Sequence, residues 1–270
     1  TIVNVTLKLE DIKNQNFITY KTKVNSIKEC IDEISKKSKE NNSFVYSWNM
    51  AENLKFLGKG FVFQNKINVN NSENFKFLPE EESSKIKPFL SIWNKLTIKA
   101  ANLIFYYLNS TSKNFKEDHF TSVIFPFYGK EAYFNFFGKK GFYESQLLIS
   151  ENKIEDFFDE FKFIFKKFQP SISLLSFKNM RGTQEFLRFE DNKMCITFDY
   201  INNKKNSLFM SEIDKICVKL KILPSIIKDS RLNKQIVEQC YPEYLRFKDL
   251  LYDYDKKRIY KSEISKRLEI

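Results

Sequence analysis

The sequence predicts an α+β fold, a large antiparallel sheet with helices on one side. Three observations carry that prediction. Short runs alternate apolar and polar residues, as where Phe61, Phe63 and Ile67 stand among polar neighbours. Single amphipathic helices separate those runs. The plan of strands around one helix occurs twice, with no linker that splits the chain before about residue 222.

Taken in order, residues 2–9 alternate Val3, Val5, Leu7 and Leu9 and read as a strand, followed by a second over 17–21. Residues 24–39 form a helix with Ile27, Cys30, Ile31 and Ile34 on one face. Residues 44–48 and 59–69 are strands. Residues 70–88, with Glu80-Glu81-Glu82 and two prolines, read as an exposed loop. Phe89 to Asn109 is apolar and aromatic, and its Ile104-Phe105-Tyr106-Tyr107-Leu108 end reads either as a buried helix or as a surface patch.

The second half predicts a strand over 120–128, a turn at Gly138-Lys139-Lys140-Gly141 and a strand over 143–149. The clearest helix spans 152–168, with Ile154, Phe157, Phe158, Phe161, Phe165 and Phe168 on one face and Pro170 as its stop. Strands follow over 172–178 and 193–200. A helix over 208–221 rests on Ile213, Ile216, Cys217 and Leu220. Beyond it, Ile236, Val237 and Cys240 repeat at helical spacing up to Pro242. Tyr244, Phe247, Lys248 and Leu251 suggest a second short helix, and Ser262 caps a last basic one.

The 270 residues suffice for one large or two modest domains. Lys and Arg number 45 against 34 Asp and Glu, a formal charge of +11 that favours an anionic partner. That partner is a nucleic acid, a phospholipid surface or a phosphorylated substrate; a chain-wide bias toward Lys, Asn, Ile and Phe also explains the charge. Basic charge with many aromatics suits single-stranded nucleic acid, but the phenylalanines sit at core periodicity, which argues against it. No 18-residue apolar run is present, and the opening residues read as a strand rather than as a signal peptide. Cys30, Cys195, Cys217 and Cys240 are scattered without metal-type pairing and fit free thiols in a reducing cytoplasm.

His119 is the only histidine, so neither a histidine-rich metal site nor a serine triad is expected. No glycine-rich phosphate loop is present. What stands out is the end of the chain. Lys228-Asp229-Ser230-Arg231 precedes a helix start, where such a run either holds an anion or polarised ring or is a solvated cap with one surface lysine. It is followed by Tyr241-Pro242, by Tyr244 and Arg246, by Asp255-Lys256, by Tyr260-Lys261-Ser262 and by Lys266-Arg267-Leu268.

In that order the end of the chain resembles FAD-linked sugar oxidases of the vanillyl-alcohol-oxidase superfamily, above all the decaprenylphosphoryl-ribose 2'-oxidase group, with aldonolactone oxidases more distant. The likeness extends upstream. Gly138 to Gln146 is similar to the family's Gly-x-x-Gly-Phe-Leu-Gln-Tyr-Gln turn and strand. Tyr46-Ser47-Trp48, Ser176-Phe177-Lys178 and Lys193 to Phe198 resemble further family strands. Two departures stand against it. Glu144 replaces a glutamine, and Ile124-Phe125-Pro126 falls where the family has Tyr-His-Pro.

The resemblance implies three parts: residues 1–8 as the end of an FAD-binding domain, 9–222 as a cap domain carrying the sugar site, and 223–270 as a helical segment returning to the FAD-binding domain. It implies that Gln146, Glu144, Lys178, Trp48 and Cys195 line the substrate pocket. It also implies that Cys195 and Lys228 face the flavin, and that Lys228 is the catalytic cation favouring the reduced, anionic ring. FAD would be held mostly by the absent domain, leaving the chain alone inactive. The substrate would be a sugar or sugar phosphate, with a cytoplasmic location or a peripheral one at a membrane. Two further expectations follow: Tyr241, Tyr244, Phe247 and Leu251 are exposed on a loosely packed tail, and Gln146, Lys178, Cys195 and Trp48 share one sheet face and one cavity. An aldonolactone or other alcohol oxidase, or a flavin-free module for an anionic ligand, are the alternatives.

Overall fold

A computed structural model of the chain describes residues 4, 6, 16–40, 43–68, 88–130 and 132–270. Its elements are β1 (Asn16–Val24), α1 (Ile27–Lys37), β2 (Ser43–Asn49), β3 (Gly60–Ile67), α2 (Lys95–Thr111), β4 (Phe115–His119), α3 (Phe120–Ile124), α4 (Ala132–Asn135), β5 (Phe142–Ile149), α5 (Ile154–Phe168), β6 (Ile172–Asn179), β7 (Met194–Ile201), α6 (Lys204–Leu220), β8 (Leu223–Pro224), α7 (Lys234–Cys240), α8 (Tyr244–Tyr254) and α9 (Glu263–Leu268). The strand expected over 2–9 and nearly all of the loop expected over 70–88 lie outside the described residues.

Among the described residues, eight strands form one sheet in the order β4-β1-β3-β2-β6-β7-β5-β8, and every pairing is antiparallel. The fold is α+β with a large antiparallel sheet, as the alternating runs predict. Strand alternation gives the sheet two faces. One carries Val45, Val62, Leu147, Leu175, Phe177, Ile196 and Phe198, all buried in the main core. The helices α1, α5 and α6 cover that side. Ser26 caps α1 by accepting from the Glu29 amide, and Cys30, Ile31 and Ile34 are buried as the spacing predicts. In α5, Phe161 stacks on Phe198 at 5.3 Å and meets Phe209 of α6 edge-on at 5.5 Å.

Three elements differ from the sequence reading. Residues 120–128 are not a strand. His119 Nδ1 accepts from the Thr121 amide and caps the short helix α3, so the run turns away from the sheet. The helix read over 208–221 begins at Lys204, because Asn203 caps it by accepting from the Asn206 amide. The third difference is α2, which stands over the opposite sheet face: its Phe105 and Tyr106 rings meet Trp48 and Phe61.

The tail is a larger correction. Tyr241 and Tyr244 are each only 1% exposed and belong to the same core as the sheet, with Phe247 and Leu251 packed partly buried against it. Loose packing is not what happens. The reason is that α7 lies against α6 and extends the helix layer past the β8 edge. Val237 and Cys240 complete that layer, the Tyr241 hydroxyl donates to the Pro224 carbonyl at 2.8 Å, and the Tyr244 hydroxyl donates to the Leu268 carbonyl. The outer side of the tail does stay exposed at Leu245, Leu250, Tyr254 and Ile259.

Candidate functional site

The candidate site occupies the sheet face turned away from α5 and α6. The register assigns residues to it. Gln146 is paired with Thr197 and Glu144 with Asp199 across β5 and β7, and Cys195 is paired with Lys178 across β7 and β6. Paired residues project to the same side, so all five of these polar groups share one face with Cys195. Asn49 of β2 lies opposite Leu175, a core residue, so Trp48 next to it points the other way, onto that same face. Gly60 permits this corner: a Cβ there would lie 2.0 Å from the Trp48 carbonyl oxygen.

The tail brings in Lys228. β8 runs beside β5, and the Ser225 amide donates to the Gln146 carbonyl at 2.8 Å. Three residues on, Lys228 Nζ lies 3.5 Å from Glu144 Oε2, with the lysine side chain 49% exposed. An exposed pair of that length holds little energy, so the ammonium is free to serve a ligand. The rest of the run is structural. Asp229 is buried and pairs with Arg231 at 2.6 Å, and Arg231 reaches Asp214 at 3.3 Å. Burial pushes the Asp214 carboxyl up to about 6, with Arg231 opposing. From the chain end, Arg267 donates to the carbonyls of Ile226, Asp229 and Leu232 at 2.6–3.0 Å and clasps the loop. Lys228 is thus displayed from a loop held by these bonds.

A cavity of about 530 Å³ lies between this face and α2. That is within the range of small-molecule sites. Its walls are aromatic, with Trp48 and Phe105 centroids 4.2 Å apart and Tyr46 stacked on Phe63 at 5.4 Å. Asn102 anchors the helix roof by donating to Glu52 Oε2 at 2.7 Å. Lys116, Asp118 and Lys130 bring charge to the lining. Of the predicted site residues only Trp48 lines the cavity; Gln146, Lys178 and Cys195 share its sheet face but not its wall. Cys195 has no accessible surface, and burial pushes its thiol up.

The cavity's wall also holds a group that sequence reasoning missed. The Tyr133 hydroxyl lies 2.8 Å from both Ser173 Oγ and Asp199 Oδ2, and Tyr133 and Ser173 line the cavity. Asp199 is buried behind them. Burial first, and Glu144 second, push its carboxyl up to about 7 despite the Tyr133 hydrogen bond. A carboxyl poised near neutrality, linked to a cavity by a phenol, can take or give a proton. Asp199 was findable, since it stands two and four residues beyond Thr197 and Cys195 on one strand face. Tyr133 was not, because α4 is a short helix with no periodic signal.

For a flavin ring the residues give a divided fit. Lys228 is accessible at the edge of the face and suits an anionic ring, while Cys195, without accessible surface, is not placed to touch one. No family model matches the chain, and no curated protein matches it. Among the described residues, no helix is long and apolar enough to cross a membrane.

Proposed function

We propose that the face carrying Lys228 is the substrate face of an FAD-linked oxidoreductase that converts a sugar hydroxyl into a ketone. The observation that carries the reading is placement. Trp48, Glu144, Gln146, Lys178 and Cys195 come from four strands and project to one face, and Lys228 arrives there from the tail. Each strand residue has two faces available, so agreement across four strands supports a common role.

FAD, held mainly by an FAD-binding domain outside these residues, supplies the hydride acceptor when bound. The chain's own part is to hold and orient the sugar. Trp48 offers a ring to a sugar's apolar side. Gln146 and Lys178 serve hydroxyls or a phosphate. Lys228 contributes a fixed positive charge near the reacting centre. Asp199 accepts a proton through the Tyr133 hydroxyl. Four free, buried cysteines support a cytoplasmic location. A flavin-free binding module for an anionic ligand is favoured by one observation only: the cavity has Lys116 and Lys130 in its lining and excludes Gln146 and Lys178.

Calorimetric titration with pentose and hexose phosphates tests the placement. Lys178→Ala and Trp48→Ala should each weaken binding about 10-fold or more, as loss of a charge-assisted hydrogen bond or of aromatic contact does. Binding that both variants leave unchanged, or no heat with any sugar phosphate, contradicts it.

A further inference from the structure

The outward side of α2 is apolar. Its inward side rests on the sheet through Ile98, Asn102, Phe105 and Tyr106. Leu96, Leu103, Ile104, Tyr107 and Leu108 point outward at 43–75% exposure. With Ala100 they recur at intervals of three and four, which makes one continuous stripe on the helix. A helix that already packs inward through Ile98, Asn102 and two aromatics, and still turns a row of leucines to solvent, is built to meet something apolar.

The charge around the stripe says what that is. Over the helix and its two flanks, residues 88–115, the chain carries Lys95, Lys99 and Lys113, all exposed, and no Asp or Glu. Lys95 and Lys99 stand on the helix itself, at one flank of the stripe, and both are exposed. The whole chain is +11. We infer that the outward face of α2 docks on an anionic phospholipid surface, with the leucines and Tyr107 in the headgroup–acyl boundary and the lysines over the phosphates. An in-plane helix of this kind combines apolar burial with the attraction of nearby Lys and Arg to anionic headgroups. A second copy of the chain fits less well, since it would bring the same lysines against these. Docking does not depend on flavin chemistry. It does give the cavity a role at the membrane, because the inner face of the same helix is the cavity's roof.

Sedimentation with vesicles tests it. The parent chain should bind phosphatidylcholine vesicles containing 30% phosphatidylserine about 10-fold or more better than pure phosphatidylcholine, and 0.5 M salt should remove most of the difference. Ile104→Ser with Leu108→Ser, at exposed positions, should leave the melting temperature unchanged and reduce binding about 10-fold or more. Lys95→Gln with Lys99→Gln should reduce the anionic preference. Equal binding to both vesicle types overturns the inference, as does binding that the serine variant retains. So does self-association of the parent through α2 without vesicle binding, which would make the stripe an interface between copies.

Discussion

Replacing Asp199 by Asn stabilises the fold at pH 8 and flattens its dependence on pH. Folding lifts this carboxyl from an ordinary 3.8 to about 7, chiefly because it is buried and secondarily because Glu144 is its neighbour. The folded state therefore binds the proton more tightly than the unfolded state between those values. Stability falls as pH rises through that interval, and the full penalty is present above pH 7. It is of order 4 kcal/mol, from about 1.4 kcal/mol per pH unit of displacement. Asn carries no such penalty, and its side-chain oxygen can still accept from Tyr133. Urea unfolding at pH 5, 6, 7 and 8 should show the variant's advantage widening with pH and levelling off past 7. Parallel profiles for parent and variant would show that Asp199 is an ordinary carboxylate. A stabilising substitution at this position also marks the parent carboxyl as kept at a cost, which is the expectation for a group with a function.

Arg231→Ala has the opposite sign and a similar size. It leaves Asp229 and Asp214, both now facing the guanidinium from buried or nearly buried positions, without their cation. Breaking a buried pair from one side costs about 3–5 kcal/mol. The loss should shrink below about pH 6, where Asp214 takes up a proton and sheds its charge. Asp214→Asn in the Ala background should recover part of it. The measurement is again urea unfolding, at pH 7.5 and 5.5. A loss under about 1 kcal/mol at the higher pH would mean that the cluster is solvated like a surface pair.

The elements legible in the sequence were those whose own residues carry the periodic pattern. The α5 face of Ile154, Phe157, Phe158, Phe161 and Phe165 is buried as its spacing says, and β5, β6 and β7 fall where alternation puts them. What misled were a local cap with no periodic signal and residues whose partners are distant in sequence. Residues 120–128 have strand composition, yet a histidine cap turns the first of them into α3. Tyr241 and Tyr244 looked like surface waiting for another domain, yet their hydroxyls find the Pro224 and Leu268 carbonyls and their rings the α6 layer. The site divides in the same way. Alternation put Gln146, Lys178 and Cys195 on one face, but nothing local could say that α2 would roof only the Trp48 end of it. Nor could it place Tyr133, brought to Asp199 across 66 positions of sequence.

Flavin reduction in a single turnover tests the central claim most directly. The chain is fused to the FAD-binding domain of a vanillyl-alcohol-oxidase-type sugar oxidase, the family that the proposed function invokes, loaded with FAD, and mixed rapidly with a sugar or sugar phosphate while flavin absorbance is followed. The parent should bleach. Lys228→Ala should keep its flavin, because in the proposed reading the fused domain supplies most flavin contacts, and reduce it about 10² to 10³ more slowly, the usual loss on removing one preorganised partner of a developing charge. Lys228→Arg, with the charge but not the shape, should recover only part of the rate. A parent that never bleaches, or an Ala variant that bleaches as fast as the parent, contradicts the account and leaves Lys228 as a surface lysine paired with Glu144.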